Sequence, residues 1–232
     1  MPDLRQKDIY EATDRLRREG TANLLAAALA SGARRFVAQS IAFAYRPEGD
    51  ALKTEEAPLA SDAPSPFGST VDAVGDLEAQ VMGAPGIEGV VLRYGWLYGP
   101  GTYFAADGFI AGEVRKRRYP LIGSAAGISS FIHTGDAAAA TLAAVERGAP
   151  GIYNAVDDEP LALSEWLPIY ADALGAKRPF RVPRFVARLA AGEVVAGMAT
   201  EMRGASNAKG REEFGWDFRF PSVRDGFAEL RD

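Results

Sequence analysis

The chain contains no cysteine and only one histidine, His133. Disulfides, thiolate zinc sites, cysteine nucleophiles and multi-histidine metal centres are therefore excluded. A Ser-His-Asp hydrolase would have to pair His133 with Ser40 or Ser130. No Gly-x-Ser-x-Gly elbow presents either serine, which argues against it. No apolar run approaches the ~20 residues of a membrane helix. The charged opening MPDLRQKDIYEATDRLRREG lacks the apolar stretch of a signal peptide. A cytoplasmic location with no membrane partner is the expectation. Positive charge is also in deficit. With 26 Lys and Arg against 31 Asp and Glu the net charge is −5, which disfavours nucleic acid as a partner. The basic run Arg115 to Arg118 reads as a solvated helix end.

The 232 residues, 47% hydrophobic and 25% charged, suit a soluble globular chain with a sizeable core. Asp8 to Ser31 reads as one helix closed by Gly32, with Gly20 inside it marking a close approach to a neighbour. Arg35 to Tyr45 is apolar on both faces, the pattern of a central parallel strand. Polar residues 48–70 read as a surface loop, and Asp72 to Met82 as a helix. A strand at Gly89 to Leu92 follows, then a helix within Tyr103 to Lys116. Asp136 is placed to begin an alanine-rich helix, and a strand covers Gly151 to Val156. Ser164 is placed to cap a helix ending at Gly175, Phe185 to Met202 reads as another, and two short helices start near Ser206 and Ser222. Strands alternating with helices predict an α/β fold with a mainly parallel sheet.

The most specific stretch is Leu92-Arg93-Tyr94-Gly95-Trp96-Leu97-Tyr98-Gly99-Pro100-Gly101, a strand opening into a Gly- and aromatic-rich loop. Ligands sit outside the carboxyl ends of such strands. With its flanks it resembles the "LRxxxxYGPG" segment of the NAD-dependent epimerase/dehydratase family, the extended and atypical short-chain dehydrogenase/reductases. Gly20 to Leu25 is similar to that family's "GTxNLL" helix, and Phe36 to Tyr45 to its fifth strand. Phe131 to Asp136 resembles "FIHVxD", Ile152 to Asn154 the "YN" strand, and Ser206 to Lys209 with Phe214 to Trp216 the closing "SKAxxxLGW". The resemblance implies a partial Rossmann-like parallel sheet, later strands only, in residues 1–155. A small C-terminal α/β substrate lobe would occupy 156–232, with a contribution from 99–130.

By the same resemblance, the family's first four strands, with the glycine-rich phosphate turn, would precede residue 1, as in a truncated chain. Gly83-x-x-Gly86-x-x-Gly89 has the right spacing but the wrong context. A phosphate loop follows a strand and opens a helix, whereas this segment does the reverse and reads as a turn. The family's catalytic Tyr-x-x-x-Lys falls on Thr70 and Val74, which cannot supply a tyrosine hydroxyl or a lysine charge. Its catalytic Ser/Thr falls on Ile41, beside Ser40.

The resemblance implies an oxidoreductase or nucleoside-diphosphate-sugar epimerase-like protein that moves a hydride at an alcohol or carbonyl carbon, impaired in this chain. NAD or NADP would be the cofactor, with Gln39, Ser40 and Gly95 bordering the nicotinamide and Ser40 the weak catalytic candidate. Trp96, His133 and Arg203 would face a small-molecule substrate. Trp96 in place of a polar residue and Ser129 in place of an arginine favour a less polar substrate than a sugar. As the lone histidine at a strand end, His133 reads first as a hydrogen-bonded structural residue, and Arg203 equally as a salt-bridge partner. Asp157-Asp158-Glu159 reads as a solvated turn and no metal site is expected. The alternative is a non-catalytic module completed by a partner chain or a second copy through the exposed strand 36–44.

Overall fold

A computed structural model describes residues 8–231. Its main sheet has three parallel strands, Arg35–Ile41, Glu88–Tyr94 and Gly151–Ala155, with Glu88–Tyr94 in the middle. From Gly89 to Tyr94 the middle strand is wholly buried, which is why its sequence is an apolar run without alternation. Val91 faces Leu25, Leu77 and Val81 of the helical layer made by Asp8–Ala30 and Phe67–Gly83. Val90 and Leu92 face Ala137, Ala140 and Ala144 of the Thr134–Glu146 helix on the other side. Alanines on that helix let it lie close to the sheet. Gly89 serves the opposite face, where a Cβ would stand 2.4 Å from the Val81 carbonyl oxygen.

Beyond the sheet, Tyr98, Phe104, Phe131, Trp166, Tyr170 and Phe227 form a second core. Their rings meet edge to face or tilted, at centroid separations of 4.7 to 6.2 Å, within the range that favours aromatic pairs. Residues 98–131 and 161–174 surround this core. The Gly83–Gly89 segment runs from the end of a helix into a strand, the context of a turn.

Several local expectations are corrected. The 8–30 stretch is helical throughout, but Leu16–Gly20 is a π-helical turn between Asp8–Arg15 and Thr21–Ala30. A Cβ on Gly20 would meet only the Leu16 side chain, so that glycine marks no close approach. The strand predicted to Tyr45 ends at Ile41, and it lies at the edge of the described sheet instead of its centre. The helix expected from Asp72 starts at Phe67. His133, not Asp136, caps the Thr134–Glu146 helix, its Nδ1 accepting from the Gly135 N–H at 3.1 Å. The Asp136 carboxylate accepts instead from the backbone of Arg219 and Phe220. Ser164 lies inside the Leu163–Ala173 helix, whose first residue is preceded by Ala162. Residues 184–201 form two helices, Arg184–Ala191 and Glu193–Glu201, because Gly192 adopts φ +93° and breaks the run.

One buried polar cluster ties these parts together. Arg93 on the middle strand donates from Nε and Nη2 to both Glu78 carboxylate oxygens, at 2.8 and 2.6 Å. Its Nη1 donates to the Tyr45 hydroxyl and to the Glu55 carbonyl oxygen. Tyr45 in turn donates to Asn154 Oδ1 at 2.6 Å, and the Asn154 N–H donates to the Glu55 carboxylate. Arg93 and Glu78 are only 4% and 5% exposed. Burial alone would lower the arginine pKa, but its bonds to Glu78 and Tyr45 raise it, so the cation is secure. Burial pushes the Tyr45 hydroxyl up to about 12, which keeps it a neutral donor.

Removing one member of such a pair strands the other charge in the interior, typically at a cost of about 3–5 kcal/mol. Glu78→Gln is therefore expected to lose about that much stability in urea unfolding. A loss below about 1 kcal/mol would mean that the pair does not hold these elements.

Candidate functional site

The site region is built where the carboxyl ends of the main strands meet the second core. Two short parallel strands, Trp96–Tyr98 and Phe131–His133, lead from one to the other. Gly95 makes the crossing possible, because a Cβ there would stand 2.5 Å from the Ser130 carbonyl oxygen. That oxygen accepts from the Trp96 N–H at 2.8 Å, and the Ser130 hydroxyl accepts from the Ala205 N–H at 2.8 Å. Gly95, Trp96 and the Arg203 to Ala205 segment thus converge on Ser130. Arg203 is half-buried, and its Nε is buried without a hydrogen-bond partner.

Trp96 stacks on Phe43 with ring centroids 4.0 Å apart and planes within 6°. Phe43 packs on Ile41, Val71 and Val74, whereas Trp96 packs on the second core. The pair is therefore a flat apolar wall bridging the two clusters, and both rings remain half-exposed. Phe43 was not singled out from sequence, since only its register with Trp96 across distant segments reveals it.

Ser40 stands in regular register opposite Arg93, with no bulge to re-aim it. It is 3% exposed, and its hydroxyl donates to Glu78 Oε1 at 2.6 Å. Thr70 is buried too and donates to Asp14 at 2.9 Å, while Val74 is fully buried. Thr70 is thus a strut to the first helix and Val74 a core residue. Gln39 is exposed on the strand edge and borders two cavities, of about 350 and 260 Å³.

His133 does not join Trp96. It lies opposite Tyr98 beside Phe220, with Nδ1 committed to its capping bond. Burial lowers its pKa, in keeping with an acceptor nitrogen that must stay unprotonated. The acidic triplet splits three ways. Asp158 accepts from Asn207 and Arg211, and Glu159 from Ser222 and Arg224. Asp157 corrects the expectation of a solvated turn, being 2% exposed with neither carboxyl oxygen hydrogen-bonded. Among the described residues no cluster of three His, Asp or Glu could hold a metal ion.

Residues 7–155 match the NAD dependent epimerase/dehydratase family. The chain belongs to that family. It is 46% identical over 220 residues to a 3-diazoavenalumate denitrifying reductase of a Streptomyces species, covering 94% of this chain and 72% of that protein. It is 30% identical over 180 residues to an uncharacterized Sinorhizobium fredii protein, covering 72% of this chain and half of the relative. Among solved structures it resembles a human epimerase family protein with NADPH, at TM-score 0.77 and 23% identity over 95% of this chain and 75% of that one. UDP-glucose 4-epimerase of Thermotoga maritima gives TM-score 0.74 at 18% identity, over 99% of this chain and 71% of that one. The three-stranded sheet is accordingly a partial Rossmann-like epimerase fold. No described helix is long and apolar enough to cross a membrane.

Burial, reinforced by the neighbouring Asp158 charge, raises the Asp157 pKa well above 3.8. A raised folded-state pKa favours folding below 3.8 and loses that contribution as pH rises through the folded value. Asp157→Asn should therefore melt above the parent at neutral pH, and the gain should shrink as pH falls towards 3.8. A gain independent of pH would contradict the buried acid.

Proposed function

We propose that this member of the epimerase/dehydratase family is the substrate-binding part of an NAD(P)-dependent reductase whose substrate is flat and carries an electrophilic, diazo-type leaving group. The observation that carries this reading is the pairing of the Phe43–Trp96 wall with the loss of the tyrosine–lysine chemistry at Thr70 and Val74. Reduction of a carbonyl creates an alkoxide that a positioned acid must protonate. Replacing a diazonium group by hydrogen does not. The substrate gains a hydride at carbon, the C–N bond breaks, and dinitrogen leaves with the bonding pair. The 46% identical relative is named for a denitrifying reduction of a diazo compound, which supports the assignment.

NADH or NADPH would supply the hydride when bound and would leave as NAD⁺ or NADP⁺, and Gln39, Ser40 and Gly95 would form the backbone edge that the nicotinamide end borders. The fit is confined to that end. Among the described residues no strand-to-helix turn has Gly-x-Gly-x-x-Gly spacing, so nothing cradles a pyrophosphate. Ser40, its hydroxyl held by Glu78, serves as a spacer of that edge. Trp96 and Phe43 supply the wall for the substrate, and Arg203 the unpaired donor for a polar end. His133, capping its helix beside Tyr98 and Phe220, has no part in the proposed substrate wall. A nucleotide-sugar substrate is disfavoured, because Ser129 is buried where a phosphate-binding arginine would be needed.

Two measurements test the reading. Titration of the purified chain with 2-naphthoate, a flat aryl acid that matches the wall and the Arg203 donor, should quench tryptophan emission, because Trp166 and Trp216 are buried and Trp96 is the accessible indole. Trp96→Leu should abolish the quenching, and UDP-glucose should produce none. Binding of UDP-glucose without the aryl acid would overturn the proposal. Calorimetry with NAD⁺ and NADPH should show no micromolar binding by this chain, and tight binding would refute the confined fit.

A further inference from the structure

The Arg184–Ala191 helix is mounted the reverse way from an ordinary surface helix, which buries its large apolar side chains and turns its charges to solvent. Its one buried residue is Ala187. Phe185 and Leu189, one turn apart and pointing away from Ala187, are 61% and 74% exposed, with Val186 exposed beside them. Phe180, just upstream, is exposed as well. The Arg181–Val182 strand leads into this helix and pairs parallel with Leu121–Ile122. The residues that anchor the face, Tyr119, Leu121, Val182 and Ala187, all pack in the second core and none in the clusters around the main sheet. Its exposure is therefore independent of how many strands the main sheet has.

The same face gathers positive charge. Residues 115–123 and 177–191 hold nine of the chain's 26 Lys and Arg and none of its 31 Asp and Glu. The two stretches are neighbours: the Leu121 N–H donates to the Phe180 carbonyl at 2.9 Å, and the Arg117 guanidinium lies 5.5 Å from the centre of the Phe180 ring. Arg184 is paired with Glu193 and Glu201, and Arg188 with Glu193. Lys116, Arg117, Arg118, Lys177, Arg178 and Arg181 are all exposed, and among the described residues none of them forms an ion pair. In a chain of net charge −5 this is a local reversal of sign.

We propose that this face docks on an anionic lipid membrane, with Phe185 and Leu189 entering the boundary between headgroups and acyl chains and the six unpaired cations lying over the headgroup phosphates. Large apolar residues on the outer face of a helix, flanked by unpaired Lys and Arg, are what an interfacial helix presents. Long Lys and Arg stems let the charges stay at the headgroups while the rings and Leu189 sink past them. Nucleic acid would use the cations but would leave Val186 and Leu189 in water. A second copy would set two groups of unpaired cations against each other. A folded acidic protein would need a pocket shaped to the protruding side chains, whereas a fluid lipid boundary needs none. Such docking is peripheral and involves no spanning helix. It does not depend on the proposed reaction.

Sedimentation of the whole chain with phosphatidylglycerol vesicles tests it, phosphatidylcholine vesicles serving as the neutral reference. The chain should pellet with the anionic vesicles at low salt, stay in solution with the neutral ones, and be released as ionic strength rises. Phe185→Ser combined with Leu189→Ser should weaken binding roughly tenfold or more, and Lys177→Glu combined with Arg178→Glu should do the same. All four side chains are exposed, so both variants should melt with the parent. Arg34→Glu, the same charge reversal at an exposed residue outside this face, should leave binding nearly unchanged. A chain that fails to pellet with phosphatidylglycerol at low salt would overturn the proposal. So would full binding by the serine variant, or an equal loss in Arg34→Glu. Capture by polyglutamate without vesicle binding would overturn it too, and would assign the face to an acidic protein.

Discussion

The ion pair between Arg93 and Glu78 is the constraint on which the arrangement of this molecule depends. A guanidinium on a buried central strand would be costly alone, and here both carboxylate oxygens of Glu78 answer it. Its remaining donor reaches Tyr45, through which Asn154 on the third strand and the loop around Glu55 join the cluster. One cation therefore fixes the carboxyl ends of all three main strands relative to the Phe67–Gly83 helix. Ser40 is drawn into the same cluster, which leaves its hydroxyl committed.

The same economy runs through the site region. Thr70 and Val74, which the sequence resemblance sets against the family's proton-transfer pair, fasten a helix and fill the core. Room is given instead to an apolar wall of two stacked rings between the sheet and the second core. A family scaffold can keep its sheet and exchange its chemistry in this way, because the site sits on strand ends and loops while the fold rests on the strands' buried stretches.

Much of this was legible in the sequence because it rests on local pattern. The apolar run before Arg93 announces a strand covered on both faces, and the order of five short motifs marks the partial Rossmann-like fold. The Gly83–Gly89 segment is recognisable as a turn from its neighbours alone. What escaped depends on distance along the chain or on uncommon local choices. Tyr45, Asn154 and Glu55 meet across a hundred residues, and no spacing foretells it. His133 caps a helix with a ring nitrogen where Ser, Thr or Asp would be expected, so Asp136 seemed the better start. Phe185 to Met202 has the pattern of one helix, but Gly192 within it takes a positive φ and divides it into two. Asp157 is polar and flanked by acids, and only the packing of the second core buries it.

The unity of the buried cluster is best tested by a double-mutant cycle between Arg93→Met and Asn154→Ala, two residues joined through the Tyr45 hydroxyl. If the cluster acts as one unit, the two losses in unfolding free energy should differ from additivity by about 0.5 kcal/mol or more. That coupling should disappear in a Tyr45→Phe background. Losses that simply add, with Tyr45 present, would show that Arg93 holds only its own helix and does not organise the strand ends.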